Sequence, residues 1–200
     1  MSEDILKDSW NPEGPISKKI RERIKNSIFD YPIISTNSKY LKQVRSALKK
    51  NKVKKYKIVL EPAKKNTAPA ILASALIKDI PINQPLMFFA ADHLIEKSGI
   101  LNKSINKNKH NLNDKNLFIF GIKPTNPSSE YGYFLTKKLK NINKVTRFIE
   151  KPKPAKAKQV IKKKGYWNSG MFFLRKDSII NNFKKYQPKT YKSCLDSVNK

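Results

Sequence analysis

The run Pro85-Leu-Met-Phe-Phe-Ala-Ala-Asp92 limits the choice of fold more than any other stretch of this chain. Six apolar residues, Leu86 to Ala91, follow one another without alternation, and a carboxylate then appears. Such a run suits a strand covered on both faces, as in a parallel sheet flanked by helices. Ligands of these sheets bind beyond the carboxyl ends of the strands, and Asp92 stands at that end. A carboxylate there can hold the Mg²⁺ of a phosphate-bearing substrate. It can equally cap the helix that follows, because Asp is a favoured N-cap.

The flanking segments repeat the alternation of strand and helix. Apolar runs predict strands over 32–36, 56–60, 85–91, 116–122 and 131–134, an alternating strand over 145–149, and a buried strand ending at Leu174. Helical spacing predicts helices over 17–29, 38–50 with Asn37 or Ser38 as cap, 94–106, 154–164, 177–185 and 189–198. Thr67 as N-cap and Pro69 in the first turn predict a further helix to Ile77, whose N-terminal N–H groups suit an anion. The lysine-rich residues 137–144 read as a basic loop. Alternating elements imply crossover units: an α/β fold, with a mostly parallel mixed sheet and helices on both faces. Residues 1–14 read as an irregular lead-in and 15–200 as one domain, a length that supports one full core.

Charge needs separate treatment. With 43 Lys+Arg against 15 Asp+Glu, the chain carries +28, which points first to a polyanion such as nucleic acid. The basic residues are nearly all lysines, spread over the whole chain among many Asn and Ile. A/T-rich codons produce that composition without any DNA partner, whereas a DNA reader clusters Arg. We therefore expect no nucleic-acid partner, and assign the charge to attraction of small anions, screened by salt. The single cysteine, Cys194, excludes an internal disulfide. No apolar run reaches membrane-spanning length, and Ser2-Glu3-Asp4 is not the start of a signal peptide. The expectation is a cytoplasmic chain with no membrane partner.

Five groups of residues occur in order: Glu61-Pro62 with Asn66-Thr-Ala-Pro-Ala70; Ala91-Asp92-His93; Phe120-Gly-Ile122 with Pro124, Pro127 and Tyr131-Gly-Tyr133; Arg147-Phe-Ile-Glu-Lys-Pro152; and Tyr166-Trp-Asn-Ser-Gly-Met-Phe172. In this order and at these separations they closely resemble the mannose-1-phosphate guanylyltransferases of the long bacterial type, within the sugar nucleotidyltransferases. The resemblance implies a Rossmann-like nucleotidyltransferase fold and the reaction of GTP with mannose 1-phosphate, with Mg²⁺, to give GDP-mannose and pyrophosphate. It places Asp92 and Lys151 in catalysis. Gly132, Glu150, Lys151 and Asn168 fall at the sugar phosphate, Asp92 and Asn168 at the metal. Glu61, Pro62, Asn66, Thr67, Ala91 and Asp92 fall at the nucleotide. The residues keep simpler readings of their own: Asn66 and Thr67 as helix caps, Glu150 and Lys151 as an exposed ion pair of little energetic weight, Trp167 and Met171–Leu174 as core. His93 reads as shaping the turn, since the reaction needs no strong base.

The family also opens with a strand and a glycine-rich loop that wraps the triphosphate. Residues 1–14 contain one glycine, Gly14, and no such loop. Lys65 stands where the family has Arg, and Glu130 where it has Gly. The resemblance therefore implies an N-terminally truncated domain with an impaired activity, or one that depends on a homo-oligomer or a complementing chain. The alternative is a non-catalytic subunit of the same fold that binds nucleotide sugars.

Overall fold

The structure, a computed structural model, describes residues 28–61, 67–90, 95, 98–139 and 142–198. The lead-in over 1–14, most of the helix expected at 17–29, and Pro62, Asn66, Ala91, Asp92 and His93 lie outside these residues. The chain divides into two compact units, residues 1–117 with 174–200, and residues 118–173.

In the first unit β1 (Ile33–Asn37) and β2 (Lys57–Glu61) pair in parallel, with Ile34 opposite Ile58 and Asn37 opposite Glu61. Parallel strands need a crossover, and α1 (Leu41–Lys50) provides it. Asn37 caps the 3₁₀ turn Ser38–Tyr40 that leads into α1, its side chain accepting the Lys39 N–H at 3.1 Å. Alternate residues of a strand face opposite ways. Ile34 therefore turns inward, onto Val44 and Leu48 of α1, with Tyr40, Val53 and Ile58 around them. Ser35, Asn37 and Glu61 take the other face.

A second core joins α2 (Thr67–Ala75), α5 (Lys176–Tyr186) and α6 (Pro188–Val198). Leu72, Ala75, Leu76 and Ile180 are its centre, with Phe183, Tyr191, Leu195 and Val198 packed against them. Burying a side chain such as Leu72 stabilises by about 1.5–3 kcal/mol. The alanines of α2 let the helices approach closely. Thr67 is the first helical residue rather than the cap, and the helix ends at Ala75, two residues before the expected Ile77. Lys176 is buried at 5 % exposure, and its ammonium donates to the Ile77 and Ile80 carbonyls, both at 2.7 Å. These two bonds anchor the turn that follows α2. Burial lowers the Lys176 pKa, while the nearby Asp79 raises it by a smaller amount.

The strand expected over 85–91 is shorter: β3 covers Pro85–Phe88. Pro85 is exposed and the rest only partly buried, not covered on both faces. Phe89 lies past the strand, its ring edge-on to Phe29 at 5.8 Å. The helix expected at 94–106 is α3 (Ser98–Asn108), followed by a 3₁₀ turn at Lys109–Asn111.

The second unit holds most of β4 (Leu117–Ile122), then β5 (Tyr133–Leu139), β6 (Ile142–Ile149), α4 (Pro154–Lys162) and all but the last two residues of β7 (Tyr166–Arg175). β5 pairs antiparallel with both β6 and β7, and β4 pairs with β7. Of the basic loop expected over 137–144, residues 137–139 and 142–144 instead lie in paired strands, with Leu139 opposite Ile142. Lys137, Lys138 and Lys144 do not oppose pairing, because they lie in strand positions open to water. A bulge sits between Leu135 and Thr136, where an extra residue increases the local twist. Tyr133, Ala157 and Val160 form the core beneath, with Leu135, Ile149, Ile161 and Trp167 against them. The strand expected to end at Leu174 runs from Tyr166 to Arg175. No described helix is long and apolar enough to cross a membrane.

Candidate active site

The sugar-side candidates all lie in the second unit, and strand register brings three of them into one row. Tyr133 of β5 faces Ile149 of β6 and Trp167 of β7. Both pairings are antiparallel, so one step back along β5 brings Gly132 opposite Glu150 on one side and Asn168 on the other. The backbone confirms the second pairing: the Asn168 N–H donates to the Gly132 carbonyl at 2.7 Å. Residues in one row of a sheet present their side chains to the same face. With strands about 4.8 Å apart, the Glu150 and Asn168 backbones lie about 10 Å from each other, with Gly132 between them.

The place of a side chain on Gly132 is already taken. A Cβ on Gly132 would stand 2.9 Å from Glu150 Oε2 and 2.9 Å from Phe148 Cζ. The absent side chain is therefore what gives the Glu150 carboxylate its place. Tyr133 is fully buried and donates its hydroxyl to the Ser128 carbonyl at 2.8 Å, which pins the chain just before Gly132. Tyr131 lays its ring 4.9 Å from that of Trp167.

Asn168 is fixed as well. Its Oδ1 accepts the Gly170 N–H at 3.2 Å, and Gly170 has φ 70°, a value glycine adopts at low cost. Beside it, Ser169 Oγ accepts the Met171 N–H at 3.2 Å. Lys151 follows Glu150 with φ 40°. That left-handed value is unusual for a lysine, and more so before a proline, here the buried Pro152. Such conformations cost of order 1–3 kcal/mol and concentrate at functional sites. The turn exposes both Glu150 and Lys151, and no ion pair links them, against the simpler reading of the sequence. Trp167 packs as core, its buried Nε1 having no hydrogen-bond partner among the described residues. Glu130 is exposed, and its backbone N–H donates to Ser128 Oγ at 3.1 Å.

The nucleotide-side candidates lie in the first unit. Glu61 ends β2, half-buried, and its Oε1 accepts the Ser35 hydroxyl at 2.5 Å. Asn37 Nδ2 donates to the Glu61 carbonyl at 3.0 Å. Two side chains of β1 thus hold both the carboxylate and the backbone of Glu61. Oε2 has no hydrogen-bond partner among the described residues. Thr67 is exposed at the start of α2. The sequence offers Asn37 only as a helix cap and does not mark out Ser35, although their spacing of two within a strand was the signal.

No cluster of three His, Cys, Asp or Glu suited to a metal occurs among the described residues. The oxygen donors assigned to a metal, Asp92 and Asn168, suit a hard cation such as Mg²⁺. Asn168 Oδ1 retains one lone pair beyond its bond to Gly170.

A mannose-1-phosphate guanylyltransferase of Klebsiella pneumoniae is 32 % identical over 175 residues, covering 84 % of this chain and 37 % of the relative. The chain thus spans under two fifths of that protein's length. Among solved structures, one described as a mannose-6-phosphate isomerase from Helicobacter pylori matches with a TM-score of 0.80 at 27 % identity, over 100 % of this chain and 78 % of that one. Another, described as a mannose-1-phosphate geranyltransferase from Thermus thermophilus, matches with a TM-score of 0.72 at 20 % identity, over 98 % and 53 %; it supports the fold. The family model for nucleotidyl transferases matches residues 9–200, and the chain belongs to the nucleotidyl transferase family.

Proposed function

We propose that this chain carries the substrate-binding and metal-binding elements of a mannose-1-phosphate guanylyltransferase. In that reaction a phosphate oxygen of mannose 1-phosphate attacks the α-phosphorus of GTP, and pyrophosphate leaves. Such a reaction needs little covalent chemistry from the protein, which acts by positioning and by neutralising charge. Glu150 accepts hydrogen bonds from sugar hydroxyls, its carboxylate seated over Gly132. Lys151 sets a cation beside the sugar phosphate, where a flexible ammonium acts as a point charge. Glu61, Pro62, Asn66, Thr67 and Ala91 flank the nucleotide. Asp92 and Asn168 are the residues that would hold Mg²⁺, which when bound supplies charge neutralisation at the phosphates.

The observation that carries this reading is the row Glu150–Gly132–Asn168. Three residues far apart in sequence meet at one level of the sheet, with the Glu150 carboxylate seated where a side chain on Gly132 would stand. The test is to incubate the purified chain with GTP, mannose 1-phosphate and Mg²⁺ and to assay GDP-mannose and pyrophosphate. Asp92→Ala should abolish any transfer. The second reading is a non-catalytic nucleotide-sugar-binding subunit of the same fold. Under it the chain binds GDP-mannose without turnover, and Asp92→Ala weakens binding only modestly. Absence of both turnover and GDP-mannose binding would refute both.

A further inference from the structure

We infer that Ser35 is a positioning residue for base recognition: it holds the Glu61 carboxylate so that one oxygen is presented to a purine with two N–H donors on one edge. The inference rests on the proposed nucleotide role of Glu61 and goes beyond it by naming what aims that residue.

The geometry comes from the parallel pair. Register sets Ser35 opposite Val59 and Asn37 opposite Glu61, so all four face away from Ile34 and its core. The Ser35 hydroxyl reaches forward along this face to Glu61 Oε1 at 2.5 Å. Asn37 is bonded to both the Glu61 carbonyl and the Lys39 N–H, so it locks the backbone from which the carboxylate projects. A glutamate at a strand end otherwise samples several rotamers, and holding one of them favours a ligand that needs it. No Lys or Arg pairs with Glu61 among the described residues. A half-buried carboxylate with one oxygen held and the other unpaired among the described residues is suited to neutral N–H donors.

Guanine presents N1–H and N2–H side by side, a pair that a carboxylate accepts together. Adenine has an acceptor at N1 and repels it. A hydrogen bond involving a charged acceptor is among the stronger ones. Loss of the Ser35 bond should therefore act on guanine nucleotides and leave adenine nucleotides alone.

The experiment measures binding of GTP and ATP, with Mg²⁺, to the full chain by calorimetry. Wild type is expected to prefer GTP. Glu61→Gln should remove the preference. Ser35→Ala should weaken GTP binding about tenfold with ATP binding unchanged, and Ser35→Thr, which keeps a hydroxyl on a residue suited to strands, should restore it. Equal loss for both nucleotides in Ser35→Ala would mean a merely structural role and overturn the inference. So would an unchanged GTP affinity in Ser35→Ala. If Glu61→Gln loses the preference while Ser35→Ala keeps it, the reading of Glu61 stands and the inference about Ser35 falls. If wild type shows no preference, both fall.

Discussion

Gly132→Ala is the sharpest probe of the sugar side. The added methyl would meet Glu150 Oε2 and Phe148 Cζ, each at 2.9 Å. Real Cβ contacts are longer, so both neighbours must retreat by several tenths of an ångström. Both can, because Glu150 is exposed and the Phe148 ring is 48 % exposed. Gly132 has no left-handed φ to lose. The cost to stability is therefore about 1 kcal/mol or less, a fall in Tm of about 2–4 °C in a chain of this size. Binding should suffer more. If the displaced carboxylate loses one charge-assisted hydrogen bond to the sugar, about 1.5–3 kcal/mol is lost, or about 10- to 150-fold in affinity. Calorimetry with mannose 1-phosphate and with GDP-mannose reads this directly, alongside thermal unfolding. Glu150→Ala should show a similar loss, and the double variant should be little worse than the worse single one, since both act through one carboxylate. Wild-type affinity in Gly132→Ala, with the expected small fall in Tm, would refute the role given to the Glu150 carboxylate seated over Gly132.

Three further outcomes follow from packing and titration. Lys176→Met leaves the Ile77 and Ile80 carbonyls without the ammonium and should destabilise by about 2–4 kcal/mol in urea unfolding. Burial lowers the Lys176 pKa below 10.5, so the native state sheds that proton where the unfolded chain keeps it. Stability should then rise with pH between the lowered value and 10.5, a slope that Lys176→Met removes. At the acid end, the hydrogen bond from Lys57 holds the Asp79 carboxyl below 3.8. Its contribution is present above 3.8 and is lost as pH falls through the lowered pKa, so Asp79→Asn should flatten that part of an acid titration. Gly165→Ala would set its Cβ 2.4 Å from Val160 Cγ1 and 3.0 Å from the Val160 carbonyl, and should cost about 1–3 kcal/mol by overpacking in chemical unfolding.

How much of this was readable from the residues differs between the two units. In the first, period decided correctly: Ile34 within β1, and Leu41, Val44 and Leu48 at helical spacing in α1, belong to elements found where the pattern placed them. A parallel pair joined by a helix is the structure that such alternation demands. In the second unit, composition misled. Lysines at 137, 138 and 144 suggested a loop, yet in an antiparallel hairpin with one open face a lysine is an ordinary strand residue. The opposition of Leu139 to Ile142 across two residues was the better signal. Helix ends were off by a few residues, as at Ala75 and Lys162, because fraying and local hydrogen bonds decide them.

The site shows the same division between local and long-range information. Gly132, Glu150 and Asn168 could be picked out as residue types, but nothing within any one motif says that they share a row. That fact belongs to two antiparallel registers, Tyr133 with Ile149 and Tyr133 with Trp167, and pairing across 16 and 34 residues is a property of the folded sheet. Ser35 was missed for the matching reason. Its hydroxyl gains meaning only through Glu61, 26 residues on. By contrast, the left-handed Lys151 before Pro152 was half legible, since Glu-Lys-Pro stops a strand by its own chemistry. Side chains that act through their own backbone can be read along the chain. Those that act through a neighbour strand require the register, and Glu61 in the first unit and Glu150 and Asn168 in the second are of that second kind.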